Sequence, residues 1–155
     1  YVYIFQTDSS EKISQLFPMK SFKGVVVNNF NPVQLGKTYY IPAKNKSFFL
    51  DQQIGEETFY FIASRQPEQT LENQHQQVLT ARKQDSAVAE IAQATLQKEI
   101  TTRGMGGIAV DPVPVPNQTQ PQNFNWEEEG QKFTTLRQRL EACDGCVNVL
   151  KFWHR

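Results

Sequence analysis

The side chains best suited to chemistry in this chain of 155 residues are two cysteines and two histidines, with a glycine run beside them. Cys143-Asp-Gly-Cys146 is a CxxC motif. In thioredoxin-like sites that motif opens a helix, whose positive end stabilises the thiolate. Here it follows a stretch that reads as a helix and so lies at the negative end, where a thiol is held protonated. Thiol-redox work by Cys143 and Cys146 is therefore the weaker reading. A structural disulfide between them, or two plain thiols, are the alternatives. A two-residue turn at Asp144-Gly145 brings the flanking Cα atoms to within about 7 Å, near the upper limit for a bridge. Zinc would need two further ligands, and only His75 and His154, far apart in sequence, exist.

The other motifs are weaker still. RGMGGIAV fits neither phosphate-loop pattern, and it follows a helix where such a loop should precede one. It reads as a helix stop. His75 lies in a glutamine-rich helix and reads as solvated, and His154 reads as exposed. Glu127, Glu128 and Glu129 fit the first turn of a helix without a bound cation. Asn45-Lys-Ser and Asn117-Gln-Thr match the glycosylation sequon, which short chains contain by chance. No Ser-His-Asp arrangement can be read from spacing. The expectation is a protein with no catalytic residues, no cofactor and no metal site. What remains is aromatic: Tyr1, Tyr3, Tyr39, Tyr40 and Tyr60 would form a platform for a glycan or peptide, unless the helices cover that face.

Positioning such a face falls to the first 65 residues, which read as β structure. The runs YVYIFQ, KISQLFP, GVVVNNF, KTYYIP, SFFLD and ETFYFIAS are short, aromatic or β-branched, and separated by turn residues. A bulge or strand end is expected near Pro18, because Ile13 and Leu16 break strict alternation. SFFLD and ETFYFIAS, joined through QQIGEE, read as a hairpin. On that reading Gly55 takes a positive φ and Glu56 and Glu57 point to solvent.

From Thr70 to Ile100 the pattern is helical and alanine-rich, with Leu71, Val78, Ala81, Val88, Ala89, Ala92 and Leu96 on one broad face and a break expected near Lys83 to Ser86. A proline-rich segment, 111–123, follows and should be extended. NWEEEGQKFTTLRQRLEA then reads as a second helix with Asn125 as N-cap, and CVNVLKFW as a returning strand. The expected fold is mainly β (α+β): an antiparallel β-sandwich of about seven short strands with a two-helix insertion before the last strand. It is read as a single domain over 1–155, with 1–65 and 146–153 as the β core and 70–142 as the helical insertion.

Composition narrows function further. Sixteen basic residues balance sixteen acidic ones, so no global field draws nucleic acid or an anionic membrane. No stretch approaches the roughly 18 apolar residues of a membrane span. The chain opens on a strand-like run without a methionine or a signal peptide, as an excised or processed chain would.

Three pieces of the β region carry a resemblance: Leu16-Phe17-Pro18, the stretch from Gly36 to Pro42, and Gly55-Glu56 leading to Ala63-Ser64. Together they resemble the bacterial domain-of-unknown-function family 4384 over about the first 65 residues, with 66–155 unmatched. The resemblance implies a small β domain of envelope, surface or signalling proteins without established catalysis. It leads to the expectation of a non-enzymatic binding or assembly module of an extracytoplasmic (periplasmic or surface) protein with a protein partner. The alternatives are a regulatory or sensor domain of a larger signalling protein and, more weakly, the thiol-redox protein considered above.

Overall fold

A computed structural model of the chain describes residues 1–22, 24–43, 48, 52–103, 122–128, 131–137 and 146–154. In chain order these form β1 (Val2–Thr7), β2 (Ile13–Phe17), β3 (Met19–Phe22), β4 (Val25–Asn29) and β5 (Gly55–Ala63). Helices α1 (Gln69–Ala81) and α2 (Ser86–Thr102) follow, then β6 (Gln122–Glu128), β7 (Gln131–Arg137) and β8 (Cys146–His154). The chain divides into two compact units: Tyr1–Gly106 with Cys143–Arg155, and Gly107–Ala142. As expected, the protein is mainly β and antiparallel, with two helices ahead of the last strand.

In the first unit a four-stranded sheet has the order β2-β1-β5-β8, and β3 and β4 pair separately. Alternation along β1 and β5 divides two apolar clusters between the sheet's faces. Tyr3, Phe5, Tyr60 and Ile62 face the helices and join Leu71, Val78, Leu96 and Ile100. Ile4, Phe59 and Phe61 face the other way and pack with Leu16, Phe17, Val33, Tyr39, Ile41 and Phe48. Each fully buried aliphatic side chain contributes about 1.5–3 kcal/mol, so the helices are held by this face more than by their own propensity.

β2 sends two neighbours, Leu16 and Phe17, into the same cluster, which strict alternation forbids. The register slips between Ile4, opposite Phe17, and Phe5, opposite Gln15, leaving Leu16 as the extra residue of a bulge. Ile13 faces the helices, and the bulge lets both Leu16 and Phe17 enter the other cluster. The strand stops at Phe17, before Pro18, as the broken alternation predicts. Asn31 finishes β1 where β2 has run out. Its Oδ1 accepts from the Val2 amide at 2.9 Å and its Nδ2 donates to the Val2 carbonyl at 2.8 Å.

The long helical stretch breaks where expected. Arg82 and the turn after it end α1, and Asp85 starts α2 by accepting from the amides of Ala87 and Val88 at 2.7 and 3.2 Å. Arg82 then ties the helix corner to the sheet, donating to the Ile13 carbonyl at 2.5 Å and to Gln93 Oε1. At the opposite end Arg103 clamps both helices, with Glu68 at 2.5 Å and Glu99 at 2.8 Å. Burial alone would lower the Arg103 pKa, but these two carboxylates outweigh it and raise the value.

Three local expectations are corrected. Residues 125–142 do not form one helix: β6 and β7 pair antiparallel, with Trp126 opposite Phe133 and Glu128 opposite Gln131. Two residues, Glu129 and Gly130, join them, a length that favours a hairpin, and Gly130 inside a helix would cost about 1 kcal/mol. KTYYIP is not a strand, while Met19–Phe22 is one. The expected hairpin of SFFLD with ETFYFIAS falls mostly outside the described residues; β5 itself pairs with β1 over Thr58–Ala63 and with β8 over its whole length. Thr70 does not cap α1; Glu68 is its N-cap residue, and the Glu68 amide donates to the Tyr3 hydroxyl at 3.0 Å. The run RGMGGIAV beyond Arg103, Asn45, Asn117, most of SFFLD, and 111–121 of the proline-rich segment lie outside the described residues.

Candidate functional site

The sheet and α2 enclose an open cleft of about 1110 Å³ within the first unit. Its far wall is the turn after β1, Asp8 to Glu11, and its floor is the start of β5 and the end of β8. Its near wall is α2, whose Glu90, Gln93, Ala94, Gln97, Lys98 and Thr101 recur at helical spacing on one side.

The turn is held by its own residues. Asp8 Oδ1 accepts from the Ser10 amide at 2.9 Å, the Ser10 hydroxyl at 2.7 Å and the Lys12 amide at 2.9 Å. It sits so close on β5 that a Cβ at Gly55 would come within 2.2 Å of Ser9 Cβ. Gly55 is therefore a close-approach glycine. Its φ is not in the positive region, which Gly24 and Gly36 occupy. That corrects the expected role of Gly55, and Glu57 corrects the rest of the hairpin reading. It is 2% exposed and accepts from Gln6 Nε2 at 2.8 Å on the face away from the cleft. Only Glu56 points outward.

Beneath the cleft, Gln97 joins helix to sheet: Thr7 Oγ1 donates to its Oε1 at 2.9 Å and its Nε2 donates to the Tyr60 hydroxyl at 2.8 Å. On the floor Lys151 donates to Glu56 at 2.7 Å, and that hydrogen bond and charge raise the lysine's pKa. Beyond this pair the surface is apolar and open. Trp153 is 63% exposed and Ile54 68%. Val149, two residues before Lys151 and on the same side of β8, is 48% exposed. The helices thus bury the face of β1 and β5 and leave that of β8 largely uncovered.

The five tyrosines do not form one platform. Tyr3 and Tyr60 are buried among the helix-facing residues, with Tyr1 half-buried beside them. The Tyr3 hydroxyl donates to Glu72 Oε1 at 2.5 Å; burial and that bond push its pKa up to about 12. Tyr39 is on the opposite face, edge-on to Phe17 at 5.7 Å between ring centroids, with Lys37 over its ring. Tyr40 alone is exposed. The helices cover Tyr3 and Tyr60, and Tyr1 in part, while Tyr39 and Tyr40 lie elsewhere.

His75 is not solvated either. It lies edge-on to Phe5 at 5.9 Å, and burial, assisted by the charge of Arg82, lowers its pKa to about 4. Cys146 begins β8, as expected, but Cys143 lies outside the described residues, and with it the question of a disulfide. Of the cleft's residues, sequence alone places Lys151 and Trp153 together by strand alternation. Nothing local puts Glu90 or Glu11 opposite them, since that depends on where α2 and the turn pack. Among the described residues no group of three or more histidine, cysteine or carboxylate side chains is arranged to hold a metal ion. Nor is any helix there long and apolar enough to cross a membrane.

No curated protein and no solved structure matches the chain. The resemblance read from Leu16-Phe17-Pro18, Gly36 to Pro42 and Gly55 to Ser64 is upheld: residues 1–67, from β1 through β5, match the family described as Domain of unknown function (DUF4384).

Proposed function

We propose that this protein is a non-enzymatic binding module of a bacterial extracytoplasmic protein and that it engages a protein partner through the cleft of α2, β5 and β8. The observation that carries the reading is the pairing of concavity with exposed apolar side chains. A cleft of about 1110 Å³ is rimmed by Trp153 and Ile54, both more than half exposed. A tryptophan left in water at the edge of a concave surface is a typical anchor for a protein contact. The polar groups under it, Gln97, Thr7 and Tyr60, are spent on holding the helix to the sheet. The extracytoplasmic setting is supported by the family resemblance alone.

The test is a photo-crosslinking amino acid at position 153, with a second at the exposed position Val25 as control. Irradiation in the source organism's envelope fraction should give a discrete protein adduct at 153, suppressed by excess unlabelled protein, and none at 25. Equal adducts at both positions, or none at 153, would refute the reading.

A further inference from the structure

We infer that the partner presents a cationic, extended segment, which lies over the uncovered face of β8 with its lysine or arginine side chains directed at Glu11 on the far wall and Glu90 on the near wall. The inference rests on the binding-module reading above and names the chemistry of what is bound. Charge complementarity carries it. The cleft is lined by Asp8, Glu11, Glu56 and Glu90 against Lys98 and Lys151, an excess of negative charge in a chain whose net charge is zero. Glu56 is already paired with Lys151, and Asp8 is committed to its turn. Among the described residues no side-chain partner is found for the carboxylates of Glu11 and Glu90. Low-dielectric walls on two sides strengthen the field of such groups at the cleft mouth.

The exposed apolar side chains of the floor fit the same occupant. Lysine and arginine carry long methylene stems that pack on an aromatic face while the charged head reaches a carboxylate. Trp153, at the open edge of the cleft, gives the best such face and adds a cation–π attraction. An extended segment matches the surface because Val149, Lys151 and Trp153 repeat every second residue, the spacing of alternate side chains on a strand. An anionic segment would place like charges opposite Glu11 and Glu90 and is rejected by the same field.

Calorimetric titration with acetylated hexapeptides tests the inference, alternating alanine with lysine, with arginine or with glutamate. The lysine and arginine peptides should bind and the glutamate peptide should not, with affinity falling at least fivefold between 50 and 300 mM salt, on the order expected for rim charge pairs. Glu11→Gln with Glu90→Gln should weaken binding about tenfold, and Trp153→Ala should weaken it separately while circular dichroism stays unchanged. Equal binding of the glutamate peptide, or no effect of the double glutamine variant, overturns the inference. If position 153 still captures a partner whose binding tolerates 300 mM salt and the glutamine pair, the charge inference fails and the binding module stands. If no partner is captured at 153, both fail.

Discussion

Protonating His75 puts a charge at the interface of α1 and β1, where its ring meets Phe5 and the like charge of Arg82 opposes it. Its pKa falls from 6.5 to about 4 on folding. Between these values the unfolded chain binds the proton and the folded chain does not, so stability is full above pH 6.5 and declines as pH falls toward 4. The loss should be about 2 kcal/mol, allowing for water reaching a half-buried ring. Urea unfolding at pH 7.5, 5.5 and 4.5 measures it, and His75→Phe should flatten that part of the profile. Gly55 gives a second residue-scale prediction. Gly55→Ala should cost about 1–3 kcal/mol because the new methyl group meets Ser9. Adding Ser9→Gly should recover most of that loss, since Ser9 Cβ and Oγ are the two nearest atoms. Without recovery, the strain would lie in the Gly55 backbone and not in the contact with the turn.

At the scale of elements, α1 and α2 are two helices because Asp85 caps the second. Asp85→Ala should cost about 1 kcal/mol and Asp85→Asn much less, read from thermal unfolding at neutral pH. This break was legible in the sequence, as were β1, β2, β4, β5 and β8, each a short β-branched or aromatic run. The face of α2 was legible only in part. Ala89 and Leu96 are buried, but Val88 is 51% exposed, because the break resets the helical phase inherited from α1. The stretch of β6 and β7 shows local signals in conflict. Asn125, three glutamates and later arginines describe a helix, while Phe124 and Trp126 alternate as a strand does, and Gly130 falls where a two-residue loop would be. The apolar spacing at period two and the glycine were the better guide. The cleft was least legible, since its walls are three segments that only packing brings together.

For the molecule as a whole, the family match ends at residue 67, yet the fourth strand of the sheet is β8, from residues 146–154. β5 is a central strand only because β8 pairs along its whole length, and Phe152 stacks on Phe59 with ring centroids 5.6 Å apart. A chain ended after Gly145 should therefore lose cooperative unfolding and self-associate through the bared edge. Size-exclusion chromatography with thermal melts tests this, and a peptide of residues 146–155 added in trans should restore the monomer. A truncated chain that stays monomeric and melts cooperatively would show the sheet to be complete without β8. During synthesis the same pairing becomes a matter of timing. Ala63 awaits Cys146 and Gly55 awaits His154, so at ordinary translation rates the nascent β5 stands with an open edge for on the order of 4–20 s. Through that interval the earlier strands and helices can gather, but the sheet closes only when the ribosome has delivered its last strand, and a chaperone that binds extended apolar segments would find Phe59 and Phe61 within reach until then.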